Sequence, residues 1–328
     1  MCGRYALELA LEHPQYLAGV ELGEPIASYN VAPTHAVPIL VDRLFPAESL
    51  NPAHTHDGAG QDAAASLPGQ GQFVRELHSA RWGLLPSWAK DPSFASRAFN
   101  ARSETIFEKP TFREAAVAGH CAIPVSGYYE WKTKTTAAGK TAKTPYFVHQ
   151  ADGRPIYLVG LYAWWKIPAA YAAPGAAFEG QEGQWLLSCS IVTMDSPGHG
   201  EFDTGIMADL GGEPPYAHPM EEALGQLHNR LPIPLEVADD TQVSEADSLT
   251  NWLRSGRVVG APAPQDPAQK AQVRTSAQEA LELIRKQAFA QTHGWAMHPV
   301  SKDVGRVSNN APYLIEPVED LLSDLSRS

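Results

Sequence analysis

The sequence predicts an α+β fold built on a mainly antiparallel or mixed sheet with short flanking helices. Three observations point there: strand-like runs outnumber helical ones, the two kinds do not alternate along the chain, and no internal repeat is present. Regular alternation would instead mark a doubly wound parallel sheet. A chain of 328 residues that is 44% hydrophobic can bury a substantial core.

In chain order, residues 36–41 (AVPILV) read as a short buried strand and residues 79–86 (SARWGLLP) as another. TFREAAVA at 111–118 is helical in pattern. HCAIPVSGYYEWKT at 120–133 has the β-branched and aromatic content of a strand or hairpin. Residues 144–165 read as strand, turn and strand, with the turn at Asp152 and Gly153. LLSCSIVTM at 186–194 is a further strand. Residues 244–255 read as a helix with a Ser N-cap. Residues 276–291 place Leu281, Ile284 and Ala288 on one helical face. Residues 46–72, 167–184 and 200–222 are rich in Ala, Gly, Pro or acids without a hydrophobic period, and read as surface insertions. Residues 256–274 read as a polar linker.

Several function classes are excluded by composition or left without support. No apolar run approaches 18 residues, so no membrane-spanning helix is expected. Cys2, Cys121 and Cys189 lie far apart without a CxxC pair, so neither a zinc site nor a disulfide framework is expected. A reducing, cytoplasmic compartment fits, and the N-terminus lacks the pattern of a signal peptide. His54 and His56 are the only close histidine pair and sit in a low-complexity stretch, so no metal role is expected. HExxH, GxSxG, Walker A and dinucleotide fingerprints are absent, and no cofactor is expected.

Cys2 carries distinctive chemistry if Met1 is removed. A terminal cysteine has an amine with a pKa of about 7.7–8.0 and a thiol of about 8.5 on adjacent carbons. The amine condenses with an aldehyde to an imine, and the thiol then closes a five-membered thiazolidine. An internal cysteine cannot do this, because its nitrogen is an amide. Position alone favours a chance cysteine in a frayed terminus. Glu130 lies between Tyr129 and Trp131. It is either a buried carboxyl suited to acid–base work or an exposed residue on an edge strand. His228 in LHNRLP has a side chain suited to proton transfer, or a structural role. Asn100 in FNARSET either positions a ligand or caps the following segment.

The chain resembles the SOS-response-associated peptidase (SRAP) domain family, whose members crosslink abasic sites in DNA. The resembling blocks are MCGRYAL, SYNVAPTHAVPIL (28–40), RWGLLPSWAKDP (81–92), FNARSET (99–105) and CAIPVSGYYEWKT (121–133). They continue with PYFVH (145–149), SCSIVTMDSP (188–197), LHNRLPIPL (227–235) and HPVSKDVGRVSNNAPYLIEPV (298–318). Nine blocks in family order span nearly the whole chain. The resemblance implies one domain over residues 1–328, with a barrel-like core, acting as a monomer on single-stranded DNA that contains abasic sites. It implies that Cys2 is the nucleophile, Asn100 orients it, Glu130 accepts protons, and His228 moves protons on the sugar oxygens and assists slow reversal. Arg4, Arg102 and Arg230 are expected at phosphates. Trp88 is expected to stack on bases, worth about 1–3 kcal/mol per base, or else to pack in the core. Thr193 is expected to border the pocket. One departure is Asn229, where the family commonly has aspartate. The family is also described as a thiol autopeptidase. A peptidase acting on protein and a non-catalytic reader of modified DNA are therefore the alternatives.

The formal net charge of −12 argues against a nucleic-acid partner only if it is spread evenly. Residues 195–247 carry twelve acids and one base, and so hold nearly all of it. Residues 75–132 carry eight bases and six acids. The acidic stretch is expected to face away from a modestly basic cleft or to screen it.

Overall fold

The computed structural model describes residues 2–9, 24–45, 72–135, 141–199, 216–237, 247–261 and 263–319. The strands and helices follow in the order β1 (Tyr5–Leu9), β2 (Ile26–Val31), β3 (Ala36–Phe45), β4 (Gln72–Trp82), β5 (Asn100–Arg102) and α1 (Ala115–Ala118). Next come β6 (His120–Val125), β7 (Gly127–Thr135), β8 (Thr141–Gln150), β9 (Ile156–Lys166), α2 (Ala169–Ala172) and β10 (Trp185–Asp195). The remainder is α3 (Pro219–Leu227), β11 (Arg230–Pro232), β12 (Pro234–Leu235), α4 (Ser248–Ser255), α5 (Pro267–Gln291) and β13 (Trp295–Pro299).

Strands β10, β4, β3, β6 and β9 are hydrogen-bonded in that order, and β9 pairs back onto β10. This closes a five-stranded barrel and leaves those strands without free edges. Only the β4–β10 contact in the ring is parallel. Strand β10 is buried continuously from Leu187 to Met194, so that Ser188, Ser190 and Thr193 are buried together with its apolar residues. A second sheet runs β13-β8-β7-β1-β2. Gly83 joins β4 to the loop that follows, at φ 131°, and an added Cβ would lie 2.4 Å from the Ala95 carbonyl oxygen. Only glycine fits such a turn.

The α+β class and the antiparallel sheet are as the sequence predicts, and several local expectations are corrected. Residues 120–133 are not one strand. Ser126 separates β6 in the barrel from β7 in the second sheet, and its N–H donates to the Ala6 carbonyl at 2.9 Å. Strands β8 and β9 divide between the sheets in the same way, although a turn joins them at Asp152 and Gly153. Both strands of each pair are apolar, and local pattern does not say which sheet receives them. The stretch 167–184 is not a bare surface loop. Ile167, Ala172 and Phe178 pack with Leu85, Ala89, Ala95 and Trp165 in a small second core.

The polar stretch 256–274 is not wholly a linker. Helix α5 begins at Pro267, and the Asp266 side chain accepts from the Gln269 N–H at 2.8 Å. Its first turns face solvent nearly all round, so no hydrophobic period marks them; the legible signal was an Asp N-cap before Pro at N1. At 25 residues this helix is not short. Helix α4 is capped by Asp247, whereas Ser244 lies outside the described residues. So do 46–71, with His54 and His56, and 200–215. Among the described residues, no helix is long and apolar enough to cross a membrane, and no group of three or more His, Cys, Asp or Glu is arranged to hold a metal.

Candidate active site

Two sheets meet around Cys2. The β1–β7 ladder pairs Tyr5 with Tyr128, and the Tyr129 N–H donates to the Arg4 carbonyl at 2.9 Å. Continuing that register brings Glu130 alongside the residues that precede Arg4. On the barrel side, β10 holds β5 in parallel, with Asn100 beside Ile191 and Arg102 beside Thr193. It holds β11 antiparallel, with Arg230 opposite Asp195. Helix α3 ends at His228, its C-cap, and packs on β7. Thus Cys2, Asn100, Glu130 and His228, which are far apart in sequence, come from four elements around one point.

The Asn100 side chain bridges the two sheets. Its Nδ2 donates to the Cys2 carbonyl at 2.6 Å, and its Oδ1 is buried with no hydrogen-bond partner among the described residues. A buried unpaired acceptor costs about 1–3 kcal/mol, so a donor arriving there gains what the folded protein forgoes. Cys2 is fully buried, and burial, with the nearby Glu130 charge, pushes its thiol pKa far up. The thiol is therefore protonated near neutrality and must lose its proton as it attacks. Glu130 is 5% exposed and shares the inward face of β7 with Tyr128, which resolves the two readings of this residue in favour of burial. Its Oε1 accepts from the Trp131 N–H at 3.2 Å. Cys121 and Cys189 are also buried free thiols with raised pKa values. Cys2 is set apart by its neighbours, not by exposure.

His228 is half-buried, and its Nδ1 accepts from the Arg230 N–H at 3.0 Å. From that bond we assign the neutral ring its proton on Nε2. Burial lowers the pKa; the Glu130 charge opposes this and the Arg230 charge adds to it. Protonation at Nδ1 would also cost the Arg230 bond. At neutral pH the ring is thus a donor through Nε2. If His228 serves the reaction as a neutral donor, its own limb of the pH–rate profile lies below about 6.5, the ordinary histidine value, because the lowered pKa moves that inflection to more acid pH. The measurement is single-turnover rate against pH for the wild type and for His228→Gln, which loses that limb. The Cys2 amine, at about 7.7–8.0, gives its own inflection in both proteins; a His228-dependent inflection above about 6.5 contradicts the assignment.

Arg230 and Thr193 correct the sequence reading. The Arg230 guanidinium is nearly buried between two carboxylates. It donates to Glu104 Oε1 at 3.1 Å and Oε2 at 2.9 Å, and to Asp195 Oδ1. It also donates to the Thr193 carbonyl at 2.7 Å. With its charge more than balanced, it is a support for the His228 loop rather than a phosphate ligand. Burial alone would raise the Glu104 carboxyl, but the Arg230 bonds and charge bring it below the usual range. Thr193 is fully buried and braces Arg230, so it presents no surface to a pocket. Asp195 therefore stands beside the site, which for this residue fits the screening rather than the facing-away expectation of the acidic stretch. Asn229 is exposed, and its carbonyl accepts from the Ser196 N–H.

Arg102 is exposed, and Arg4 is half-buried. Arg4 Nη1 donates to Asn30 Oδ1 at 2.7 Å and to the Val304 carbonyl at 2.6 Å. Asn30 Nδ2 in turn donates to the Arg306 and Asn309 carbonyls at 2.9 and 2.7 Å, tying the 301–310 loop over β2. Sequence reasoning missed Asn30, Glu104 and Asp195. Their signal was a polar residue inside a resembling block: SYNVAP, NARSET and TMDSP respectively. Trp88 is 49% exposed, so its core-packing reading is set aside. Its ring meets Phe94 edge-on at 5.4 Å.

Comparison with known proteins follows the same lines. Residues 1–202 match the sequence model of the family described as SOS response associated peptidase (SRAP). Abasic site processing protein YoaM of Bacillus subtilis is 28% identical over 263 residues, covering 76% of this chain and 93% of that protein. Abasic site processing protein YoqW of the same organism is 29% identical over 197 residues, covering 59% and 68%. Abasic site processing protein HMCES of Rattus norvegicus is 25% identical over 323 residues, covering 90% and 66%. A solved structure of a Bacteroides thetaiotaomicron protein covers 97% of this chain and all of its own at a TM-score of 0.55 and 18% identity, which shows a shared fold.

Proposed function

The chain belongs to the SOS response associated peptidase (SRAP) family, and from that premise we propose that it captures abasic sites in single-stranded DNA as a thiazolidine on Cys2. The reading takes residues 1–328 as one domain of this family acting as a monomer in the DNA damage response, in the cytoplasm and, in a bacterial cell, at the nucleoid. The observation that carries it is the convergence of Asn100, Glu130 and His228 on Cys2.

The residue ahead of Cys2 is first removed, which frees its amine. In the reaction, Glu130 takes the proton of the anomeric hydroxyl as the ring opens to its aldehyde and passes it to the ring oxygen, which His228 Nε2–H holds by a hydrogen bond, so that Glu130 is again a carboxylate. The Cys2 amine, held through the Asn100–carbonyl bond, condenses with the aldehyde and releases water. Asn100 Oδ1 accepts an N–H of that amine. Glu130 then takes the thiol proton as sulfur adds to the imine carbon, and the nitrogen regains a proton. One C–N bond and one C–S bond form, and one water leaves. Reversal runs through the same groups. Arg4 and Arg102 supply phosphate contacts, and Trp88 a stacking surface.

The test is a denaturing gel of purified protein with an oligonucleotide bearing one abasic site. A shifted band with the wild type that is lost in Cys2→Ala is expected. A band that survives in Cys2→Ala, or its absence in wild type with Met1 removed, contradicts the reading. A protein-directed peptidase would instead cleave an extended N-terminus without DNA, and a non-catalytic reader would bind without the shifted band.

A further inference from the structure

Trp88, Trp164 and Trp185 are 49%, 47% and 59% exposed. Single exposed apolar residues need no explanation, but grouped ones rimmed by polar residues mark interaction sites. These are grouped. In the β9–β10 pair, Trp185 stands opposite Lys166, and Leu187 opposite Trp164. Opposed residues share a face, and positions two apart return to it. Trp164, Lys166 and Trp185 therefore stand on one face, with the two tryptophans at diagonal positions of the strand pair, within reach of aromatic side chains.

Trp164 also lines a cavity of about 370 Å³ with Ser87, Thr111, Glu114, Tyr162 and Arg257. That volume lies within the range of small-ligand pockets. Ser87 precedes Trp88, whose indole N–H donates to the Pro110 carbonyl at 3.4 Å, one residue before Thr111. The cavity thus lies between the Trp88 loop and the Trp164–Trp185 face. Its groups suit a nucleotide: an indole for the base plane, hydroxyls and a carboxylate for the base edge, and a cation for the phosphate. Arg257 is exposed and makes no ion pair among the described residues, and Lys166 is exposed beside Trp185.

We propose that this cavity and the Trp164–Trp185 face form an accessory site for nucleotides of the single strand flanking the lesion, continuous with Trp88. The inference rests on the abasic-site reading and extends it along the strand. Arg257 and Lys166 supply the charge complementarity, and the indoles supply stacking that tolerates any sequence.

The test uses reversible binding. A tetrahydrofuran analogue of the abasic site has no aldehyde, so fluorescence anisotropy reads affinity without crosslinking. Oligonucleotides of about 4 and about 16 nucleotides bracket the reach of such sites. The wild type gains affinity with length. Trp164→Ala and Trp185→Ala each cut that gain at least about five-fold; Trp164→Phe retains most of it, and Leu283→Ala, an exposed residue on α5, changes nothing. An unchanged gain in both alanine variants overturns the proposal, as does an equal loss at both lengths. Competition by free deoxynucleoside monophosphate as strong as by the oligonucleotide also overturns it, because the site then takes a free nucleotide. Each of these failures leaves crosslinking of a natural abasic site intact. Loss of that crosslinking in the wild type is the failure of the parent reading.

Discussion

Cys2→Ser loses the heat-stable crosslink entirely while keeping the first step. Serine retains the α-amine, so it still condenses with the aldehyde to an imine that borohydride traps. Its hydroxyl closes only a ring that hydrolyses readily, whereas sulfur closes a thiazolidine. On the proposed reading the site serves this second step. The thiol is buried and its pKa is driven up by burial and by the Glu130 charge, so little thiolate exists before reaction. That arrangement disfavours adventitious oxidation or alkylation and makes ring closure depend on a base at hand. The check is a denaturing gel with and without borohydride: wild type gives a band in both, and Cys2→Ser only with the reductant. A stable band from Cys2→Ser without reductant contradicts the role of sulfur.

Glu130→Gln slows crosslinking by about 10²–10⁴-fold, the usual worth of a positioned acid–base group. Glutamine keeps the size of the side chain, and its amide oxygen can still accept from the Trp131 N–H, so the fold is retained. What it loses is proton acceptance. Removing the carboxylate also removes the charge that raises the Cys2 thiol, so the variant's thiol ionises more readily. Part of the lost rate therefore returns at high pH in Glu130→Gln, as solvent hydroxide replaces the base. Single-turnover rates from pH 6 to 10 read this directly. A variant with wild-type rate at pH 7 removes Glu130 from the mechanism.

The two predictions rest on residues of very different legibility in sequence. Cys2 offers the chemistry of a terminal aminothiol, but its position also describes a chance cysteine, and the resembling blocks rather than position single it out. Glu130 sits in an alternating strand whose two faces are both buried, so the same pattern fits an exposed edge. Only the β1–β7 register and the packing of α3 remove that ambiguity. The barrel closure was not readable, because it depends on β9 pairing with both β6 and β10. Arg230 illustrates the opposite failure. A conspicuous arginine two residues from a candidate catalytic histidine suggests phosphate, but Glu104 and Asp195, 126 and 35 residues away, claim it. Those partners also show that the −12 charge is not simply turned away from the site. Asp195 neutralises a buried cation there, and Glu221 is consumed by the Ala217 N–H and by His293.

The most direct measurement of the central claim is the mass of the crosslinked N-terminal peptide after protease and nuclease digestion. The account predicts a peptide that begins at Cys2 and carries the sugar remnant, at the sum of the two masses less one water. The thiol is then unreactive to alkylating reagents, and the terminal nitrogen is a secondary amine that no longer condenses with an aldehyde to a neutral imine. A remnant on any other residue, or on a peptide that still begins at Met1, contradicts it. So does an adduct whose thiol remains free to alkylate.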